Sequence, residues 1–135
     1  MTRYLLDTNH LSPLITVGHP LRTKLLLRMQ QGDQFAIGVS ALTELLYGIQ
    51  VIPRSRQNVV EWEQLRSIFL FYHIDQADAE QAATLQVTLR QRGRQLQTVD
   101  ALIAAVALRY GLTLLTTDRD FLAVTGLVQE NWLAS

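Results

Sequence analysis

Apolar residues alternate along this chain between short continuous runs and one-sided stripes. Arg3-Tyr4-Leu5-Leu6 closes on Asp7, and the run reads as a buried strand delivering a carboxylate to its carboxyl end. Thr8 to Ser12 has the length of one helical turn, which Pro13 should interrupt. From Pro20 to Gln31, Leu21, Leu25, Leu26 and Met29 recur at helical spacing, with Arg22, Lys24 and Arg28 off that stripe. Gly32-Asp33 supplies the stop. Phe35-Ala36-Ile37-Gly38-Val39 is a second strand, and Ser40 is placed to cap the helix Ala41-Leu42-Thr43-Glu44-Leu45-Leu46-Tyr47-Gly48. Glu44 follows that cap by four residues, about one helical turn.

Pro53-Arg54-Ser55-Arg56 reads as a connector with Ser55 as a cap, leading into a helix that runs to about Phe69 on Val59, Val60, Trp62, Leu65 and Ile68. Part of Phe69–Ile74, rich in aromatic and β-branched residues, is a third strand. Asp75 or Asp78 then starts a long helix through Leu89, broken by Arg92-Gly93. Thr98 caps a helix that is apolar almost all round, Ala101 to Leu108, and such a helix belongs in the interior against a sheet. Tyr110-Gly111 ends it. Leu112–Thr116 is a fourth strand, stopping at Thr117-Asp118-Arg119-Asp120-Phe121, and Leu127-Val128 a last edge strand. Strands alternating with helices predict β-α-β units, hence an α/β fold with a mostly parallel sheet covered by helices.

Composition narrows the chemistry. A chain of 135 residues with 48% hydrophobic and 18% charged residues is expected to form a single domain with a substantial core. There is no cysteine, which excludes disulfides and thiolate metal sites. The absence of an export signal or a bilayer-length apolar stretch points to a cytoplasmic address. Twelve basic and twelve acidic residues cancel, so the chain does not coat nucleic acid by charge alone. His10, His19 and His73 fall in separate segments without metal-ligand spacing and read as isolated surface or half-buried residues.

Four acids interrupt otherwise apolar segments: Asp7, Glu44, Asp100 and Asp118. Parallel strands end at one edge of a sheet, and the helices that follow or precede them start there, so topology routes all four acids to one crevice. Clustered carboxylates repel one another, and burial raises the cost of keeping them ionised. A hard divalent cation, Mg²⁺ or Mn²⁺, resolves that repulsion with oxygen ligands alone and can activate a coordinated water against a phosphodiester. Read singly, each acid has an equally good ordinary meaning: Asp7 caps a turn, Asp100 favours a helix start, Asp118 begins a turn, and Glu44 reaches solvent at the rim of its helix. Asp120 reads as a helix cap or a supporting acid. Asp75, Asp78, Glu61, Glu63 and Glu80 read as caps and solvated faces. Thr8, Ser40 and Thr116 lie near the same strand ends and can hydrogen-bond the carboxylates or a metal-bound water, and Asn9 can position a ligand or phosphate, with local capping an equal alternative for each. Arg90, Arg92, Arg94 and Arg119 are candidates for phosphate contacts, against the commoner meaning of an exposed basic loop.

Taken in order, Leu5-Leu6-Asp7-Thr8-Asn9, Ser40–Gly48, Asp100–Ala105 and Leu115–Phe121 resemble the PIN-domain ribonucleases, in particular the VapC-type toxins of toxin–antitoxin pairs. The resemblance spans essentially the whole chain. It implies a PIN-like three-layer α/β/α sandwich with a sheet of four to five strands, and one nuclease domain over residues 1–135. It implies a Mg²⁺- or Mn²⁺-dependent endoribonuclease with Asp7, Glu44, Asp100 and Asp118 as its acidic quartet. A homodimer and a small antitoxin partner are implied too. Two other readings stand beside it. One is a receiver- or phosphatase-like domain using Asp7 as phosphoacceptor, which would want a catalytic lysine where the chain has only Lys24. The other is a non-enzymatic partner-binding module.

Overall fold

The computed structural model describes residues 1–53 and 55–134. Its centre is a five-stranded, all-parallel sheet of β1 (Arg3–Leu6), β2 (Gln34–Gly38), β3 (Leu70–Tyr72), β4 (Thr113–Leu115) and β5 (Gln129–Glu130), in the order β3-β2-β1-β4-β5. Tyr4 pairs with Phe35 on one side and with Thr113 on the other, and Leu6 pairs with Leu115. The chain winds outward from β1 to β2 and β3, then returns to the other side of β1 for β4 and β5. The β1–β4 boundary is therefore the switch point, where open α/β sheets leave a crevice beyond the strand ends.

The period of two along each strand divides the core between the sheet's faces. Tyr4, Leu6, Phe35, Ile37 and Leu115 point to one face, against α1 (Thr8–Leu11), α2 (Pro20–Gln30), α3 (Val39–Val51) and α4 (Ser55–Leu65). Leu5, Ala36 and Leu114 point to the other, against α5 (Gln76–Gln91) and α6 (Thr98–Tyr110). The result is the expected three-layer α/β/α sandwich. On α3, Ala41, Leu45 and Ile49 form a four-residue stripe on the buried side. Ala101 and the run from Ile103 to Ala107 are all buried, so α6 fills the interior as its composition predicts. Gly111 closes α6 in the left-handed region at φ 66°, where a side chain would be strained.

Several local expectations are corrected. Pro13 does not end the helical path after β1 but converts it to a 3₁₀ turn over Ser12–Ile15. Leu26 is exposed, because the stripe on α2 is narrower and runs through Leu21, Leu25 and the partly buried Met29. Val59 and Val60 are also exposed. On α4 the inward face is Trp62 and Leu65, and Glu61 beside them turns in to meet Arg22 at 2.7 Å. The α3 cap is Gly38 and not Ser40, since β2 passes directly into the helix and leaves Ser40 in its first turn. The α6 cap is Gln97 and not Thr98: the Gln97 carbonyl already accepts from the Ala101 N–H at 2.8 Å. Asp75 and Asp78 share the start of α5 as a reciprocal capping box. The last strand is Gln129–Glu130, two residues beyond Leu127-Val128. Arg54 and the Ser55 side chain, part of the expected connector and cap, lie outside the described residues. Among the described residues no helix is long and apolar enough to cross a membrane.

Leu114 is fully buried in β4 between two neighbouring strands. Leu114→Ala should lower the unfolding free energy by about 2–5 kcal/mol, read as a reduced urea midpoint. A change below about 1 kcal/mol would mean that this face of the sheet is not the packed core described.

Candidate acidic site at the sheet switch point

Asp7 follows β1 and Asp118 follows β4, so the two flank the switch point. The Asp7 N–H donates to the Leu115 carbonyl at 3.0 Å, which extends the β1–β4 ladder to the residue bearing the carboxylate. Both Asp7 oxygens are held. Oδ1 accepts from the Thr8 N–H at 2.9 Å, and Oδ2 accepts from the Thr116 hydroxyl at 2.8 Å and from the Asn9 amide at 3.3 Å. Capping and site-building are thus not alternatives for Asp7: its side chain caps α1, and that bond helps to aim it.

Thr116 ties the two strand ends together. Its hydroxyl donates to Asp7 and accepts from the Asp118 N–H at 3.0 Å. Asp118 caps a 3₁₀ turn over Arg119–Ala123 by accepting from the Asp120 N–H at 2.8 Å. The cap expected of Asp120 therefore belongs to Asp118. Asp120 instead faces the cluster: Asp100, Asp118 and Asp120 each offer a carboxylate oxygen within 4.8 Å of the others. Asp100 projects from the first turn of α6. Burial pushes its carboxyl up to about 6, with further contributions from the charges of Asp118, Asp7, Asp120 and Glu44. One group thus feels all four other acids. Glu44 is the outlying member, exposed on α3 and the weakest of these influences.

The donor set is oxygen only and crowded with like charge. It fits a hard divalent cation and does not fit a soft one.

The sequence matches the PIN domain family over residues 4–127. The chain belongs to the PIN domain family. It is 28% identical, over 98% of its length and 99% of the relative's, to the tRNA(fMet)-specific endonuclease VapC of Shigella flexneri. Among solved structures, VapBC2 from Rickettsia felis, bound to a promoter DNA fragment, superposes with a TM-score of 0.83 at 25% identity, covering 97% of this chain and 99% of that one. A toxin–antitoxin complex from Klebsiella pneumoniae superposes with a TM-score of 0.69 at 27% identity, covering 93% of this chain and 95% of that one.

Within this PIN domain the remaining candidates separate. Thr8, Asn9 and Thr116 hold the Asp7 carboxylate, Thr8 through its backbone N–H. Ser40 takes no part in these bonds and lines an apolar pocket with Leu6, Ala41 and Tyr72. Arg119 stands beside Asp118 on the exposed 3₁₀ turn, apart from the groove beside which Arg90 and Arg94 lie. Lys24 lies over the Trp132 ring, 4.3 Å from its centroid, and makes no hydrogen bond to Asp7.

Sequence reasoning missed His10. Far from being on the surface, it is completely buried. Its Nε2 accepts from the Trp132 backbone N–H at 3.0 Å, which leaves the proton on Nδ1 to donate to the Asn9 side-chain Oδ1 at 2.7 Å. That oxygen also accepts from the Thr117 N–H at 3.2 Å, while the Asn9 amide donates to Asp7. A histidine adjacent to the acid-bearing turn was the available signal, but its partner is 122 residues away. Glu61, expected at a cap or on a solvated face, is likewise buried beside Arg22 at 2.7 Å, while Asp78 keeps its expected place at the start of α5 and is buried there with Arg109 at 3.3 Å.

Burial, and then the charge of Lys24, push the His10 imidazole down to about 4. His10 and Asp100 therefore give opposite pH dependences over nearly the same window. Folding favours the protonated Asp100, so its stabilising effect is complete below the unfolded value of 3.8 and is lost as pH rises through about 6. Folding favours neutral His10, so its effect is complete above 6.5 and is lost as pH falls through about 4. In the presence of a chelator, Asp100→Asn should raise the urea midpoint at pH 7 and steepen the loss of stability between pH 6 and 4. Parallel wild-type and variant profiles would rule out the crowding of Asp100.

Proposed function

We propose that this chain is a divalent-cation-dependent endoribonuclease acting as the toxin of a toxin–antitoxin pair, with residues 1–135 working as one nuclease domain. The observation that carries the reading is the meeting of Asp100, Asp118 and Asp120 at the switch point, where the charges of Asp7 and Glu44 also act on Asp100. The near full-length likeness to a VapC endonuclease supports RNA as the substrate class. The toxin–antitoxin complexes among its structural relatives support an antitoxin partner. A cytoplasmic address follows from an RNA substrate. Exposed Leu46, Tyr47 and Val51 on α3, with Leu70 and Phe71 on the edge strand β3, support contact with a second copy or a partner chain.

Asp100, Asp118 and Asp120 would hold the cation, with Asp7 and Glu44 completing the acidic surround. Mg²⁺ or Mn²⁺, when bound, supplies charge that offsets the carboxylates and stabilises negative charge developing on a phosphodiester under attack by water. The protein's own contribution is preorganisation. Thr8, Asn9 and Thr116 fix both oxygens of Asp7, so its direction is set before any ligand arrives. Thr116 couples that direction to the backbone of Asp118. Asp100, raised to about 6, must be deprotonated to take a cation, so acidification opposes cation binding there.

Asp7→Asn and Asp118→Asn should each lower RNA cleavage by on the order of 100-fold or more while circular dichroism stays unchanged, and both should relieve growth arrest on expression. Chelation should abolish the wild-type activity and added Mg²⁺ or Mn²⁺ restore it. Undiminished cleavage by purified Asp7→Asn protein would overturn the mechanism.

A further inference from the structure

The neutral overall charge conceals one strongly polarised stretch. Residues 81–99 contain three arginines, five glutamines and no acid, which leaves nine of the twelve basic residues against all twelve acids in the rest of the chain. These residues form the C-terminal part of α5, the turn after it and the first residues of α6. Gln86, Arg90, Gly93, Arg94, Gln95 and Leu96 line an open groove of about 580 Å³. Arg90 and Arg94 are exposed, and neither joins an ion pair among the described residues.

The groove is built rather than loose. Gly93, at φ 72°, permits a tight reversal in which the Arg92 and Arg94 N–H groups both donate to the Leu89 carbonyl, at 3.0 and 2.9 Å. Leu96 is buried and anchors the far side. The Gln86 amide reaches across to the Leu96 carbonyl at 3.0 Å and the Thr98 hydroxyl at 3.2 Å. Thr98 opens α6, and Asp100 stands two residues further along it. The positive groove and the acidic site are thus joined through one rigid helix start.

We propose that this groove binds phosphates of single-stranded RNA flanking the bond presented to the acids, with Arg90 and Arg94 as the two phosphate contacts. The inference rests on the nuclease reading above. A cluster of five acids repels a polyanion, so a flanking strand needs counter-charge close to the site and outside it. Paired guanidiniums match phosphate oxygens, and the glutamine amides offer donors and acceptors to bases or 2′-hydroxyls without adding charge of either sign. Arg92 lies outside the groove lining and contributes less than either neighbour.

The test is fluorescence anisotropy with a labelled oligouridylate about twenty nucleotides long, in chelator so that no cleavage occurs, over a series of salt concentrations. It compares the wild type, Arg90→Gln/Arg94→Gln, Arg90→Lys/Arg94→Lys and Arg92→Gln. Loss of two phosphate contacts should reduce the slope of log affinity against log salt by about 1.4 in the glutamine pair. The lysine pair should keep most of that slope, and Arg92→Gln should stay near the wild type. With cation restored, the glutamine pair should raise KM for the long RNA at unchanged kcat, and leave cleavage of a trinucleotide unaltered. An unchanged salt slope in the glutamine pair would overturn the proposal, as would an equal rise in KM for the trinucleotide. A glutamine pair that binds RNA normally but escapes inhibition by the antitoxin would also overturn it, assigning the groove to a protein. A wild type that binds RNA with the predicted slope yet cleaves none would sink the nuclease reading alone.

Discussion

Like-charge repulsion at one edge of the sheet is the constraint around which this molecule is arranged. Carboxylates that follow β1 and β4, with one from the first turn of α6, come close enough for their charges to act together on Asp100. The fold must hold them there against a cost that falls most heavily on Asp100. Much of the nearby polar structure is directed to that end. Thr116 bonds both flanking acids, Asn9 bonds Asp7 and Thr116, and backbone N–H groups of Thr8 and Asp120 each meet a carboxylate oxygen. These donors stabilise ionised acids without cancelling their mutual repulsion, which is the condition that the proposed cation would relieve.

The division of the core explains how such a site tolerates its cost. Buried residues of β1, β2 and β4 alternate between two apolar layers, and α6 is buried almost throughout, so the first turn of α6 cannot drift away from the sheet. Asp100 is fixed by the packing of Ala101, Ala104 and Ala105 rather than by a partner of its own. On the other face, the buried Arg22–Glu61 pair at 2.7 Å ties α2 to α4 over the sheet.

What could be read from the sequence followed from periodicity and chain direction. The five strands, the all-round apolar helix and the convergence of Asp7, Asp100 and Asp118 come from patterns of two and 3.6 residues together with parallel topology. The misses have a different origin. Caps moved by one or two residues at Ser40 and Thr98 because backbone geometry, and not side-chain preference, decided where each helix began. For Asp120 the sequence leaves a cap and a supporting acid open, because spacing along the chain cannot tell which of two neighbouring acids turns inward. The burial of His10 and Glu61 is not legible because it depends on a partner distant in sequence: Trp132 and Arg22.

The contact between His10 and Trp132 has a wider meaning. Trp132 lies after the last strand, packs edge-on against Tyr4 with ring centroids 4.9 Å apart, and gives its N–H to the imidazole that orients Asn9. Docking of this final segment and the pointing of the Asp7 carboxylate are therefore two ends of one hydrogen-bonded relay. Linkage makes such a relay reciprocal: a ligand that tightens the acid site must also shift the fraying equilibrium of the segment around Trp132 towards its docked form. The tail is then a reporter of occupancy at the opposite end of the chain's sequence, with its indole as a built-in probe.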